Sequence, residues 1–294
     1  MKSILFLLVF SVVLTSKAQS INQEITIEGE SPFLLGKIDK KGLTSVSYKS
    51  WFYQNFNNYA LDKATLESIG ERLNDYTITL FMGTWCGDSK REVPRFYKIL
   101  EACNFPKERL SVIAVSGKPY MYKKSPNHEE AGLNIHRVPT FIFYKNGQEI
   151  NRIVEHPVAT LEKDILNIIT SNDYESNYQI VTKINTILKY EGVNGFRKKQ
   201  KKLVKNFKGK VSTMFELNTY GKVLYTENRK QEAIEVFKLN NMLFPDNPRS
   251  YMSLANTLGA NKKKEEAIMI LEKALERFPD NKDLAKNLDI IKSN

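Results

Sequence analysis

The chain contains 294 residues, of which 41% are hydrophobic and 26% are charged, and its formal net charge is +11. This length allows two domains, and the composition is ordinary for a soluble protein. The three histidines and two cysteines are scattered along the chain, so the sequence predicts neither a metal site nor a cofactor.

The first 18 residues have the pattern of a secretory signal peptide. Lys2 precedes an apolar run at 4–14, and Ser16-Lys17-Ala18 forms a small-x-small cleavage site before Gln19. A membrane anchor is the alternative, but this run of about 11 residues is shorter than the roughly 20 that a span needs. We therefore predict an exported protein, periplasmic or secreted, with no membrane span after signal removal.

Residues 19–75 are predicted to form an N-terminal extension that packs on the next domain. The predicted elements are strands at 25–27 and 33–38 and a helix at 62–73 with Asp62 as its N-cap. An aromatic-rich stretch begins at Tyr48, and we assign its rings to the core rather than to a ligand surface.

A cysteine stands at the predicted junction between a buried strand and a helix. The β-rich apolar run that ends at Met82 is followed by Gly83-Thr84-Trp85, by Cys86 and by a segment with helical periodicity. The unpaired N–H groups and the positive dipole of a helix start favour a thiolate over a thiol. Lys90 and Arg91 should add positive charge at Cys86.

Three neighbours of Cys86 affect this interpretation. Asp88 opposes the positive charge of the first helical turn, and the Ser89 hydroxyl stands where it could donate to the sulfur. Trp85 is either an aromatic packed at the strand end or a partly exposed wall beside the sulfur, and its position directly before Cys86 favours the second interpretation.

The second cysteine is predicted to be unable to pair with Cys86. The helix that begins at Cys86 should run through Pro94 to Ala102, which places Cys103 about 17 residues, or about 25 Å, away. A disulfide needs Cα atoms within about 7 Å. We therefore expect Cys103 to be a small buried apolar residue at the far end of the helix.

The elements after this helix are predicted to be a strand at 111–115, a polar loop and a hairpin that closes the domain. The loop ends in Val138-Pro139-Thr140, and Asn146-Gly147 is a strong hairpin signal before a second arm at 149–154. A closing amphipathic helix follows at 157–169. His136 is predicted to be a surface loop histidine.

The segment Trp85 to Ser89 resembles the thioredoxin-fold active site, Trp-Cys-x-x-Cys, with Ser89 in place of the second cysteine. The order of elements also matches that family over about 76–170. The resemblance implies that Val138-Pro139-Thr140 is the cis-proline loop that lies against the cysteine. It implies catalytic roles for Cys86, Ser89 and Pro139, and substrate-binding roles for Trp85, Gly87, Val138 and Thr140.

Two positions depart from the thioredoxin pattern. Leu80 stands where thioredoxins carry a buried carboxylate that is thought to help move protons. Ser89 cannot attack a mixed disulfide as a second cysteine does, so mixed disulfides at Cys86 should need an external thiol to resolve them. Monothiol glutaredoxins share a Cys-x-x-Ser site, but their cluster-holding members have Cys-Gly-Phe-Ser. Asp88 and the predicted export argue against that cluster-holding role.

The C-terminal third contains an internal repeat. The tripeptide Glu-Ala-Ile at 232–234 recurs at 266–268, and Phe-Pro-Asp-Asn at 244–247 recurs at 278–281. Both offsets are 34 residues, the tetratricopeptide period. Since two repeats are few for an independent solenoid, the preceding helix or the thioredoxin-like domain is expected to cover their open end.

A basic segment lies between the two halves. Residues 197–210 contain eight lysines and arginines and no acidic residue. The segment is either a surface for an acidic or anionic partner or a solvated face of a connecting helix. Nucleic acid is not expected as a partner, because the chain has no recognisable nucleic-acid-binding module.

The sequence thus predicts an α/β thioredoxin fold followed by an all-α tetratricopeptide repeat domain. The predicted boundaries are a signal peptide at 1–18, an extension at 19–75, a thioredoxin-like domain at 76–172, a basic helical linker at 173–210, and repeats with a capping helix at 211–294. Two hypotheses about function remain open.

In the first hypothesis, Cys86 exchanges disulfides with proteins or with a low-molecular-weight thiol, and the repeats bring a partner protein. In the second, the fold is a non-catalytic binding scaffold. The Trp-Cys-Gly sequence at a helix start favours the first, whereas Ser89 and Leu80 favour the second.

Overall fold

The computed structural model describes residues 20–171 and 173–293, and the predicted signal peptide lies outside them. The strands are β1 (Gln23–Ile25), β2 (Phe33–Ile38), β3 (Thr77–Met82), β4 (Leu110–Ala114), β5 (Thr140–Lys145) and β6 (Gln148–Val154). The helices that accompany them are α1 (Lys40–Leu43), α2 (Lys49–Asn58), α3 (Lys63–Ile69), α4 (Gly87–Ala102) and α5 (Leu161–Thr170).

These strands form one sheet in the order β1-β2-β4-β3-β5-β6. β3 and β4 are parallel and the other neighbouring pairs are antiparallel. Alternate side chains of β3 enter two different apolar clusters, with Leu80 packed beside α4 and Phe81 on the opposite face. The carboxyl end of β3, near the middle of the sheet, leads directly into Cys86.

The N-terminal extension is part of this sheet, because β1 and β2 continue it beyond β4. β1 ends at Ile25 rather than at 27, since the chain already turns where Glu30 N donates to Ile27 O at 3.0 Å. Asp62 caps α3 as predicted. The helix stops at Ile69 because Gly70 has a positive φ of 48°, and a 3₁₀ turn continues to Asp75.

The hairpin predicted at Asn146-Gly147 joins β5 and β6. Both turn residues have positive φ, 52° and 76°, the combination that a type I′ turn requires. The β5–β6 pair places Val154 opposite Thr140, so the far end of β6 lies beside the start of β5, directly after Pro139.

The second half of the molecule is helical. It contains α6 (Gln179–Phe207), α7 (Phe215–Thr226), α8 (Lys230–Leu243), α9 (Pro248–Ala260), α10 (Lys264–Arg277) and α11 (Lys282–Ser293). α7 packs on α8, α9 packs on α10, and α11 packs on both α9 and α10. A Cβ at Gly221 would lie 2.8 Å from Phe237 Cζ, so α7 and α8 can approach this closely because position 221 is glycine.

The predicted basic linker is helical and belongs to the core of the repeat region. α6 is interrupted at Gly192, which has φ 63° and ψ −170°. Its apolar side chains, such as Ile184 and Phe196, enter the same cluster as those of α7 to α10. Arg197 donates to Glu235 of α8 at 3.1 Å, and the lysines of α6 are exposed or partly exposed.

No helix within the described ranges is long and apolar enough to cross a membrane.

Candidate active site

Cys86 is the N-cap residue of α4, with an extended backbone conformation. Its N–H donates to Gly83 O at 2.9 Å, and its carbonyl accepts the N–H of Lys90 at 3.0 Å. The half-buried sulfur donates to Val138 O at 3.2 Å. The first-turn N–H groups that follow Cys86 have no partner inside the helix, so the sulfur lies where a helix start stabilises negative charge.

Ser89 is fully buried. Its hydroxyl oxygen accepts the Gly83 N–H at 3.2 Å, and the Cys86 sulfur donates to Val138 instead. Among the described residues the Ser89 hydroxyl makes no hydrogen bond to the sulfur, contrary to the prediction, and the bond that it accepts ties α4 to the turn that contains Trp85. The reason is the tight turn at 83–86, which brings the Gly83 N–H into reach of position 89.

Trp85 forms a partly exposed wall beside the cysteine, with 39% of its surface accessible. Its indole Nε1 donates to Val115 O at 2.9 Å. A Cβ at Gly83 or at Gly117 would lie 2.5 Å or 2.9 Å from the indole ring, so two glycines make room for it. The ring is thus held in one position on the protein while part of its surface stays accessible.

The loop before β5 lies against Cys86. The Val138–Pro139 peptide bond is cis, and the Val138 carbonyl accepts the hydrogen bond from the sulfur. Thr140 is buried and its hydroxyl donates to Arg137 O at 2.7 Å. The Val138 side chain is buried as well, so neither side chain is accessible from the solvent beside Cys86.

The charges of Asp88 and Arg91, close to Cys86 in the sequence, are neutralised within α4, whereas Lys90 has no ion pair among the described residues. Arg91 forms ion pairs with Asp88 at 2.7 Å and with Glu92 at 2.5 Å. The expected contribution of Arg91 to the field at Cys86 is therefore offset by carboxylates on the same helix. Gly87, by contrast, faces open space and leaves the helix start accessible.

A buried lysine from a distant loop supplies positive charge instead. Lys123 is only 5% exposed, and its Nζ lies 5.3 Å from the centre of the Trp85 ring and 5.0 Å from that of Tyr122. Burial lowers the pKa of Lys123 to about 8, and the negative charge of the nearby Cys86 thiolate opposes this shift. At neutral pH, Lys123 is therefore a desolvated cation within electrostatic reach of Cys86.

The first helix of the repeat region runs along these loops. Thr219 lies close to the Tyr122 hydroxyl, and the Lys222 Nζ lies 4.1 Å from the centre of the Tyr122 ring. At the two ends of α7, Arg137 donates to Phe215 O at 3.1 Å and Lys124 donates to Thr226 O at 2.7 Å. The repeat region thus lies directly beside the candidate active site.

His136 is not the surface residue that the sequence predicts. It is 6% exposed and makes edge-to-face contacts with Tyr178 and Tyr220. Its Nδ1 lies 3.3 Å from Asn134 O. Burial lowers the pKa of His136 to about 3, so the imidazole is neutral. The two tyrosines come from the helical half, which a local reading of the loop cannot anticipate.

Cys103 is the C-cap residue of α4 and packs half-buried against the main apolar cluster. Both cysteines are free thiols at opposite ends of the helix, as predicted. Burial, with a smaller effect of the nearby Glu162 carboxylate, raises the pKa of the Cys103 thiol.

The residues that sequence reasoning missed are Tyr122, Lys123, Arg137 and Lys222. Tyr122 and Lys123 lie on a loop whose sequence has no periodicity. Arg137 lies on the loop before Pro139, and Lys222 lies on α7, whose sequence pattern indicates only packing between repeats. The signal for Tyr122 and Lys123 is an aromatic–basic stretch, Tyr-Met-Tyr-Lys-Lys at 120–124, whose role depends on the packing of α7 against it.

Two comparisons with known proteins agree with this architecture. A tetratricopeptide repeat family model matches residues 248–281, which contain α9 and α10. The mitochondrial thioredoxin-3 of Saccharomyces cerevisiae is 30% identical over 95 residues, which cover 32% of this chain and 67% of that protein. The chain therefore belongs to the thioredoxin family, with a thioredoxin-like α/β domain followed by an all-helical region of tetratricopeptide repeats.

Proposed function

We propose that the protein is an exported thiol–disulfide oxidoreductase that uses Cys86 as its single nucleophile, and that its repeats bind a partner protein. The observation that supports this most is the position of the Cys86 sulfur. It lies half-exposed at the start of α4, between the Trp85 wall and the Val138 carbonyl. A non-catalytic scaffold has no need for an accessible thiol at a helix start.

The first chemical step is attack by the Cys86 thiolate on one sulfur of a substrate disulfide. A new bond forms between Cys86 Sγ and that sulfur, and the other sulfur leaves as a thiolate that takes a proton from water. The helix start stabilises the attacking thiolate. Trp85 and the backbone at Val138 and Pro139 flank the approach of the substrate.

The second step needs a thiol from outside the chain. Position 89 offers a buried hydroxyl that accepts a hydrogen bond from Gly83, and a hydroxyl does not displace a sulfur. An external protein thiol or a low-molecular-weight thiol must therefore attack the mixed disulfide and release Cys86. The products are reduced Cys86 and a new disulfide between the substrate and that thiol.

Export and partner binding rest on two separate supports. The signal-like sequence at 1–18 supports export, and the tetratricopeptide match at 248–281 supports protein binding by the repeats. Export is tested by determining the N-terminus of the protein recovered from the cells that make it. A mature N-terminus at Gln19 is expected, whereas an intact Met1 in the recovered protein contradicts export.

The exchange activity is tested by trapping. The reduced full-length protein is mixed with a protein disulfide such as insulin, free thiols are blocked with an alkylating reagent, and the products are resolved without reductant. We expect a mixed disulfide that peptide mapping assigns to Cys86. It should be absent in Cys86→Ser and present in Cys103→Ala. Absence of any adduct at Cys86 would favour the scaffold hypothesis.

A further inference from the structure

Three cations from distant parts of the chain lie within electrostatic reach of one another, and one of them, Lys123, is within reach of Cys86. Lys123 comes from the loop after β4, Arg137 from the loop before β5, and Lys222 from α7 of the repeat region. Together these three residues are called the cationic rim. Two of them belong to the thioredoxin-like domain and one to the helical region, so the rim exists only when the two halves pack together.

Lys123 is the buried member of the rim. The charged groups that act on its ammonium are Cys86, Arg137, Glu155 and Lys222. Its close contacts are the faces of Trp85 and Tyr122. Within the part of the chain that the structure describes, no ion pair joins Lys123 to a carboxylate. A buried cation without an anionic partner favours negative charge in the space next to it.

The other two members differ in how far they are neutralised. Arg137 forms an ion pair with Glu155 at 3.2 Å and stacks 4.9 Å from the centre of the Tyr178 ring. Lys222 is exposed, lies over Tyr122 and, among the described residues, has no salt bridge to a carboxylate. The single carboxylate Glu155 therefore leaves the rim with a net positive charge.

The rim residues and their aromatic neighbours connect α7 to the cysteine. Thr219 and Lys222 lie three residues apart on α7 and so share one face of it, and Tyr122 contacts both. Tyr122 and Lys123 are adjacent, and Lys123 stacks on Trp85, the residue before Cys86. A chain of contacts thus leads from α7 to the cysteine.

We infer that the cationic rim selects disulfides that carry a carboxylate close to the sulfur which Cys86 attacks, and that α7 is therefore part of the substrate site. The inference rests on the proposed function, because it concerns the substrates of the same cysteine. The carboxylate lies near Lys123 and Lys222 while Cys86 Sγ bonds to the adjacent sulfur. The other sulfur leaves as a thiolate that water protonates.

The test compares three small disulfides of different charge. Dithiodipropionate carries two carboxylates, bis(2-hydroxyethyl) disulfide is neutral, and cystamine carries two ammonium groups. The rate of mixed-disulfide formation at Cys86 is measured by peptide mass mapping for each. It is divided by the rate of 2-mercaptoethanol with the same disulfide, which removes differences in intrinsic reactivity.

In the natural protein the normalised rate should be about tenfold higher for the anionic than for the cationic disulfide at low salt, as expected for charges several ångströms apart near a protein surface. The preference should shrink at 1 M salt, where the screening length is about 3 Å. Lys222→Glu should abolish most of it. Lys286→Glu, on the exposed face of α11, changes the net charge equally and should leave it intact.

The possible results distinguish a failure of this inference from a failure of the proposed function. Equal normalised rates for the three disulfides, or equal effects of Lys222→Glu and Lys286→Glu, would overturn the inference while the exchange activity stands. No adduct at Cys86 with any disulfide would refute the proposed function itself. Lys222→Gln, which only removes the charge, should give about half the logarithmic effect of Lys222→Glu.

Lys123 provides an independent variant. Lys123→Met keeps the buried aliphatic stem and removes the ammonium. If this variant retains the far-ultraviolet circular dichroism of the natural protein, its anionic preference should fall at least as far as in Lys222→Gln. A folded Lys123→Met protein with an unchanged preference would exclude Lys123 from the rim.

Discussion

The two ends of α4 carry the two cysteines of the chain in opposite surroundings. Cys86 begins the helix, half-exposed, next to unpaired N–H groups and within reach of a buried ammonium. Cys103 ends it, where the helix presents carbonyl groups and where burial and Glu162 raise the pKa of the thiol. The same side chain is therefore placed for reaction at one end and for packing at the other.

The direction of the helix is one reason why we propose Cys86, and not Cys103, as the nucleophile. The positive end of a helix dipole stabilises a thiolate and the negative end opposes it. Packing alone does not separate them, because both thiols are half-buried, Cys103 against the main apolar cluster and Cys86 against the smaller cluster on the other face of the sheet.

Removal of each thiol in turn gives the largest expected effect. Cys86→Ser should abolish disulfide exchange, with a loss of at least about 10³-fold, because a serine hydroxyl is not a nucleophile at neutral pH without an adjacent base. Cys103→Ala should keep the rate within about twofold. Exchange with insulin in the presence of excess dithiothreitol measures both. Comparable losses in the two variants would contradict the assignment of the reactive thiol to Cys86 alone.

The second prediction concerns the reactivity of the two thiols in the natural protein. Iodoacetamide should modify Cys86 several-fold faster than Cys103 at pH 7, because alkylation requires the thiolate and burial raises the pKa of the Cys103 thiol. Peptide mass mapping of a time course gives both rates in one sample. In 6 M guanidinium the two rates should converge, which serves as the internal control.

The third prediction concerns the buried His136, which lies in the loop before Pro139, on the Cys86 side of the molecule. The pKa of His136 is about 3 in the folded protein and about 6.5 when unfolded, so the unfolded state binds more protons between these values. Its contribution to stability is therefore lost as the pH falls, by about 2 kcal/mol between pH 7 and pH 5. Urea unfolding of the natural protein and of His136→Phe measures it.

The His136→Phe variant serves as the matched comparison, since it keeps an aromatic ring between Tyr178 and Tyr220 and has no group to titrate. Its stability should fall by about 2 kcal/mol less over the same pH range. If both proteins lose the same stability, carboxylates elsewhere control the acid response and His136 does not.

Much of the fold follows from local sequence. The strand, cysteine and helix order, the Asn146-Gly147 turn and the Asp62 cap all occur where the sequence predicts them, because short-range backbone preferences fix each one. The end of α3 was misplaced by four residues, because the positive φ at Gly70 ends a helix whose apolar periodicity continues.

The site was predictable only in part. Cys86, Trp85 and Pro139 stand out because they lie next to each other in the sequence or in a recognisable motif. His136 is buried against Tyr220, and Lys123 lies over the Trp85 ring and within electrostatic reach of Lys222 on α7. These partners are tens of residues away in sequence, so no local pattern indicates them.

The last prediction concerns Ser89, because the residue at this position decides whether a mixed disulfide at Cys86 can be resolved without an external thiol. Ser89→Cys places a second thiol three residues after Cys86, on the first turn of the helix, where a Cys-x-x-Cys disulfide can close. We expect this variant to reduce insulin about tenfold faster than the natural protein at limiting dithiothreitol, because the new thiol attacks the mixed disulfide internally.

The new thiol must also replace the oxygen that accepts the Gly83 N–H. Sulfur is a weaker acceptor, so the weakened hydrogen bond from Gly83 should lower the free energy of unfolding by about 1 kcal/mol. Ser89→Ala removes the acceptor without adding a thiol and is the matched control for this loss. A gain in Ser89→Cys but not in Ser89→Ala assigns the effect to resolution. Equal rates in both variants mean that position 89 points away from Cys86 during exchange, and that the external thiol is the only means of release.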